Sequence, residues 1–426
     1  ADTELYGSGE QDGLEEILNM RCLLLTNHFY PESFRCNDVA FELVRRGYEV
    51  TVLTAIPDYP QGRYHKGYSL FKKRYERLNG VKVVRVPIIP RGNGKPLRML
   101  LNYGSGIFFF FFHALYQGLF HKYDCIFVHD TSPAFIGLPA VLVKKMQRIP
   151  MDFWILDMWP QSLAAGGIRN ARVYRWIDCM MDFIYRNSEV IHISSLGFRQ
   201  LLRQRNVPDE KIEYLPNWSD DSIVHTRRVD IPRLPDGFII MFAGNLGEAQ
   251  NLENVLKAAC LLKEQKEVHW VFLGDGRKKN WMEQYIAEHQ LESTVHLLGR
   301  FPIESMPSFF EKADVMLVSL ADEQVFNLTL PAKVQAYMSC SKPILAMLNG
   351  EGQEIIHRAG CGWFVDAKDV EGLAHKVQMI IKLSKAELVE AGQNGYAYYK
   401  EHFQKEICMD IIDRALQGMV ENRKGI

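Results

Sequence analysis

The 426 residues, 47% hydrophobic and 24% charged, have the balance of a globular protein with room for two or three full cores. Eight cysteines lie in apolar segments without a C-x-x-C pair, which excludes a disulfide frame and a zinc site and predicts buried thiols in a reducing compartment. The net charge of −1 hides an asymmetry: residues 20–217 hold 27 Lys/Arg against 16 Asp/Glu, an excess of +11, and the remainder is acidic. A basic half is either a solvated face or a surface for diphosphates, anionic lipid or nucleic acid.

In chain order, residues 1–19 are polar and acidic and read as a leader outside the fold, with Met20-Arg21 as the expected natural start. Short β-rich runs then alternate with helical patterns, the mark of parallel sheets built from βαβ units. In the first half the strands are expected at 22–27, 49–54, 81–87, 125–130, 152–157 and 190–194. A helix over 38–46 is closed by Gly47. Ile107–Phe120, with five consecutive phenylalanines, is interrupted by His113, Gln117 and Gly118 and falls short of the ~20 residues of a spanning helix. Flanked by Arg91, Lys95, Arg98 and Lys122, it reads as an interfacial helix in preference to a core one.

Pro216, Pro232 and Pro235 mark a linker, taken as 218–236, before alternation restarts. Strands are expected at 238–243, 268–273, 295–298, 315–320 and 344–348, with helices over 251–264 and 331–340. The expected layout is an N-terminal domain over 20–217, a second over 237–400, and a helical end, 401–426, that could return to the first. Two such α/β domains leave a cleft outside the strand C-terminal ends, where ligands bind.

The chemistry gathers in three turns of the second half. Gly244-Asn245-Leu246-Gly247 through Gln250 follows a strand and opens a helix, offering a glycine turn and free N–H groups to a diphosphate. Gly274-Asp275-Gly276-Arg277-Lys278-Lys279 adds three cations, which oppose the helix dipole unless an anion meets them. In Asn327-Leu328-Thr329-Leu330-Pro331-Ala332-Lys333, proline suits the first helical position. The N–H groups of Leu328–Leu330 are then expected to face the cleft, with Lys333 in reach of a phosphate or sugar hydroxyl.

These turns in this order, together with 25–32 (LTNHFYPE), 57–62 (PDYPQG), 156–162 (LDMWPQS) and 331–337 (PAKVQAY), resemble retaining glycosyltransferases of family 4 from Met20 onward. Among these are the bacterial N-acetyl-L-fucosamine transferases of O-antigen and capsule assembly. The resemblance implies a GT-B fold of two Rossmann-like domains facing a central cleft. It implies a nucleotide-sugar donor, UDP-linked, in the second domain and an acceptor against the first. It also implies transfer with no metal or other cofactor and no enzymic nucleophile, since the leaving phosphate takes the acceptor's proton. The expected acceptor is a polyprenyl-diphosphate-linked saccharide at the inner face of the plasma membrane, with no role for nucleic acid.

Two departures stand out. Asn245 and Gln250 occupy positions where many members carry Arg and Lys, so Arg277, Lys278 and Lys333 are expected to meet the phosphate charge. Leu328 and Ala336 occupy the positions of a Glu-x7-Glu pair, leaving Glu323 and backbone N–H groups for the donor hydroxyls. In the first domain Asp157, where distant members have histidine, is expected to orient the acceptor hydroxyl or steady positive charge on the sugar, unless it only caps a turn. Glu32 and Asp130 are candidates of the same kind, while His28 and His129 read as structural. Two other functions fit such a chain: a nucleotide-sugar 2-epimerase, which the cation-flanked apolar segment disfavours, and a non-catalytic nucleotide-sugar-binding subunit.

Overall fold

A computed structural model describes residues 20–93, 95–165, 170–220, 223 and 229–424. The chain divides into two compact units: residues up to Ser194 with Arg199–Leu215 and Met409 onward, and Ser195–Phe198 with Pro216–Cys408.

The first unit holds an eight-stranded sheet of β1 (Arg21–Thr26), β2 (Glu49–Ala55), β3 (Tyr75–Leu78), β4 (Val81–Val86), β5 (Cys125–Asp130), β6 (Met151–Ile155), β7 (Val190–Ile193) and β8 (Ile212–Tyr214). Their order is β3-β4-β2-β1-β5-β6-β7-β8, and every pairing is parallel except that of β3 with β4. β5 and β6 are buried along their whole length, as strands covered on both faces must be. Helix α1 (Arg35–Arg45) is followed by Gly47 at φ +95°, a left-handed stop that suits glycine. Arg46, just past α1, pairs with Asp410 at 2.7 Å and Asp413 at 3.1 Å, and the Tyr48 hydroxyl donates to Asp413. The end of the chain is thereby tied into this unit.

The second unit is a six-stranded parallel sheet in the order β11-β10-β9-β12-β13-β14. Its strands are β9 (Phe238–Ala243), β10 (Val268–Leu273), β11 (Val295–Gly299), β12 (Val315–Ser319), β13 (Ile344–Met347) and β14 (Gly362–Val365). Ile240, Phe242, Trp270, Phe272 and Leu317 form the centre of its core. Two α/β units with parallel sheets are what the alternating pattern led us to expect. The short or charged strands β3, β8 and β14 carry no comparable pattern.

Two expectations need correction. The apolar segment is not a short helix: α2 (Pro96–Phe120) has 25 residues, long and apolar enough to cross a membrane by length and composition alone. The polar residues that seemed to interrupt it turn toward the protein. Gln117 is buried and accepts from the Tyr123 hydroxyl at 2.5 Å, and His113 meets Arg74 at 2.9 Å. The thiols are not all buried, since Cys179 is exposed. The expected helical end is the helix Lys405–Lys424, preceded by Lys385–His402, and from Met409 it belongs to the first unit. The expected leader, 1–19, and linker residues 221–222 and 224–228 lie outside the described residues.

Candidate functional site

In the second unit the turns after β9 and β10 are pressed together. A Cβ on Gly274 would stand 1.8 Å from the carbonyl oxygen of Gly244, and one on Gly276 2.4 Å from that of Leu246. Gly244 and Gly274 have φ of +145° and +144°, so both the backbone and the close approach demand glycine. Leu246 N–H donates to Asp275 O at 2.9 Å, and Lys278 N–H to Leu246 O at 2.9 Å. Asn245 and Asp275 are exposed, the latter accepting from Gly276 N–H at 2.8 Å.

Lys333, in the first turn of α3 (Ala332–Ser339), reaches this place from another direction. Its Cε would lie 2.7 Å from a Cβ on Gly244, and its ammonium stands 4.2 Å above the Phe242 ring and donates to Gln250 Oε1. No carboxylate partners it among the described residues. Loss of hydration pushes its ammonium down to about 7. The cation thus arrives, from α3, beside Gln250, one of the two positions where the family resemblance leads one to look for a basic residue. Lys278 is spent: Glu248 and Glu253 hold its ammonium at 2.9 and 2.7 Å and raise its pKa. Arg277, next to it, is exposed and makes no ion pair among the described residues.

The backbone N–H groups of Leu328–Leu330 are not available to a ligand, contrary to expectation. Leu328 N–H donates to Gln324 O at 3.3 Å, Thr329 N–H to Phe326 O at 3.2 Å, and Leu330 N–H to Ser195 Oγ at 2.7 Å. The Thr329 hydroxyl donates to Val325 O at 2.7 Å. Asn327 is engaged by Asp322, a hub that also accepts from Asn349 and Lys368 and is held down at about 2, chiefly by Lys368. Glu323 is exposed and makes no side-chain capping bond. Ala332 and Lys333 open α3, and N–H groups at a helix start have no intrahelical acceptor.

In the first unit Asp157 lies just past the end of β6. Ser132 Oγ donates to one carboxylate oxygen and Ser162 Oγ to the other, and Trp159 Nε1 donates to Ser132 Oγ at 2.9 Å. Asp130, the last residue of β5, is buried with both carboxyl oxygens lacking a partner among the described residues. Burial first, and the charge of Asp157 second, push its pKa well above the usual carboxylate range. Its neighbour His129 is driven down to about 3, mainly by burial, and meets Thr26 Oγ1 at 3.2 Å.

Glu32 stands apart from this pair. One oxygen accepts the N–H groups of Asp58 and Tyr59 at 2.9 and 2.7 Å, and the other meets His28 Nδ1 at 2.8 Å. Arg91 Nη2 lies 2.9 Å from His28 Nε2. A guanidinium only donates, so Nε2 accepts and the ring proton sits on Nδ1, directed at Glu32. Glu32 therefore braces the loops after β1 and β2. Sequence reasoning missed Ser132, Ser162, Ser195 and Asp322, whose bonds to Asp157, Leu330, Asn349 and Lys368 span five or more residues and are invisible to local spacing.

Comparison with known proteins bears on this arrangement. The Glycosyl transferase 4-like domain matches residues 34–218 and the Glycosyl transferases group 1 family matches 226–398. The chain is a glycosyltransferase of GT-B fold. Similar proteins include a probable glycosyltransferase, WbjE, of Pseudomonas aeruginosa, 26% identical over 62% of this transferase and 68% of that protein. A putative colanic acid biosynthesis glycosyl transferase, WcaI, of Escherichia coli is 24% identical over 92% of this transferase and 100% of its own length. Among solved structures, Anabaena Alr3699/HepE in complex with UDP and glucose superposes with a TM-score of 0.65, 15% identity, and coverage of 93% and 99%.

Proposed function

We propose that the transferase moves a hexose, N-acetyl-L-fucosamine being the first candidate, from a UDP-linked donor to a polyprenyl-diphosphate-linked saccharide with retention and without a metal. Lys333 carries the reading: a half-buried ammonium with no carboxylate, set against a glycine turn and the opening of α3, is completed by an anion. The bond between the sugar and the diphosphate breaks, the acceptor oxygen bonds to the same carbon on the same face, and its proton passes to the departing phosphate. Lys333, the N–H groups opening α3, and Arg277 meet the charge that develops there. In the first unit Asp157 receives the acceptor hydroxyl while Asp130 stays neutral behind it. The HepE structure with UDP and glucose supports the choice of base, as does the family resemblance.

The acceptor's lipid is supported by α2. Its large apolar residues at 97, 100, 101, 108, 111, 112, 115, 116, 119 and 120 are exposed at helical spacing, while Asn102, Ala114 and Gln117 face inward. Such a helix is inside out for water and suited to lying in a bilayer interface, so the association is peripheral and on the cytoplasmic side. A thermal-shift panel of nucleotide sugars tests the donor, since a ligand at 100 times its Kd adds about 2.7 kcal/mol. Stabilisation by no nucleotide sugar, or transfer abolished by EDTA and restored by magnesium, contradicts the proposal. Phe108→Ser with Phe112→Ser is expected to impair transfer to a lipid-linked acceptor and spare a short-chain soluble analogue. Loss of both with a collapsed Tm would make α2 a core helix.

A further inference from the structure

The loop before β3 ends in an apolar tip that nothing among the described residues covers. Phe71 is 94% exposed and Leu70 beside it 44%. One exposed leucine is ordinary, but a phenylalanine held almost wholly in water by an ordered turn calls for a partner. The turn is built from within. Ser69 Oγ accepts the N–H groups of Phe71 and Lys72 at 3.2 and 3.1 Å, and Ser69 N–H donates to Lys72 O at 3.3 Å. Lys73 has φ of +55°, and its ammonium stands 5.0 Å from the centre of the Tyr68 ring. The base is fastened to the body by Arg74, which donates to Arg85 O, to Leu70 O at 3.3 Å and to His113 Nε2 on α2 at 2.9 Å. The tip is thus anchored to the same helix whose apolar side is bare.

Charge selects the occupant. Between Asp58 and Asp124 the chain carries one carboxylate, Glu76, against twelve Lys and Arg, a surplus equal to the whole excess of residues 20–217. Glu76 is itself neutralised, 2.6 Å from the buried Arg85. An aromatic tip followed at once by Lys72 and Lys73 matches an anionic bilayer, with the ring among the acyl chains and the ammonium groups among lipid phosphates.

We propose that Leu70–Phe71 is a second membrane-dipping element, which with α2 sets the first unit on an anionic lipid surface at two points. This rests on the membrane reading of α2 given above. The apolar side of α2 sets the roll of the first unit on the surface, and a second anchor away from the helix holds that orientation more firmly while adding avidity.

Sedimentation with phosphatidylglycerol–phosphatidylcholine vesicles compares the unaltered protein with Phe71→Ser, with Lys72→Glu/Lys73→Glu, and with Phe108→Ser/Phe112→Ser. Phe71→Ser is expected to weaken binding roughly tenfold with an unchanged Tm, and reversal of the two lysines is expected to weaken it further at low salt. Phe71→Trp is expected to add blue-shifted emission when these vesicles are present. Binding by Phe71→Ser equal to that of the unaltered protein, with loss confined to the α2 variant, overturns the tip and leaves the α2 reading standing. An unshifted Phe71→Trp spectrum also overturns the tip. No vesicle binding by the unaltered protein removes both.

Discussion

The strand ends of the first unit carry carboxyl groups among hydroxyls, Asp130 and Asp157 with Ser132 and Ser162. Those of the second carry glycines and a cation, Gly244, Gly274 and Arg277, which Lys333 reaches from α3. Each end also withholds one charged group from water, with opposite sign. Burial raises Asp130 and lowers Lys333 to about 7, so both move toward neutrality at a cost in stability. The difference teaches which reactant each unit suits. On the proposed reading, the carboxylate fixed by two hydroxyls accepts a hydrogen bond from a sugar hydroxyl, and the lysine, without a carboxylate partner among the described residues, meets a diphosphate.

The largest effect that could break this contrast is at Asp157. Asp157→Asn is expected to cut turnover by about 100-fold or more while leaving UDP affinity unchanged. Turnover near that of the unaltered protein would reduce Asp157 to a bracket for Ser132 and Ser162. On the cationic side, Arg277→Ala is expected to weaken UDP binding by about 1.5–3 kcal/mol, as for a lost hydrogen bond between charged groups. An unchanged calorimetric Kd would remove Arg277 from the donor site.

Asp130 sharpens the comparison through stability. A carboxyl raised on folding contributes stability that is complete below its unfolded value, near 4, and that is lost as pH rises toward its folded value. Asp130→Asn is therefore expected to stabilise the protein by about 1–2 kcal/mol at pH 8 and by little at pH 4. Denaturant unfolding at the two pH values measures it, and equal effects at both would contradict the assignment. The smallest effect belongs to Lys278, whose charge is already met by Glu248 and Glu253. Lys278→Ala is expected to change UDP affinity by less than about 0.5 kcal/mol. A loss as large as that for Arg277→Ala would show that the ion pairs open for the ligand.

Much of this was legible in the residues. The buried strands declared themselves by unbroken apolar runs, and the glycine turns after β9 and β10 by sitting between a strand and a helix. Asp157 stood out at a strand end. What stayed hidden depends on partners distant in sequence. Nothing local to Leu330 says that Ser195 takes its N–H, and Lys278 looks free until folding brings Glu253 to it. Gln117 and His113 looked like interruptions of an apolar helix because polarity alone does not reveal which face a residue occupies. The Leu70–Phe71 tip went unnoticed since two apolar residues in a basic loop form no period.

The central claim, that Lys333 holds the donor's diphosphate, is tested most directly by calorimetric titration with UDP between pH 6 and 9. An anion binds the protonated ammonium, whose fraction in the free protein falls as pH rises through about 7. Affinity is therefore expected to fall roughly tenfold per pH unit above that point, with proton uptake on binding. Lys333→Met is expected to bind weakly throughout and to lose the pH dependence above 7. Tight UDP binding that ignores both the pH and the substitution would contradict the account.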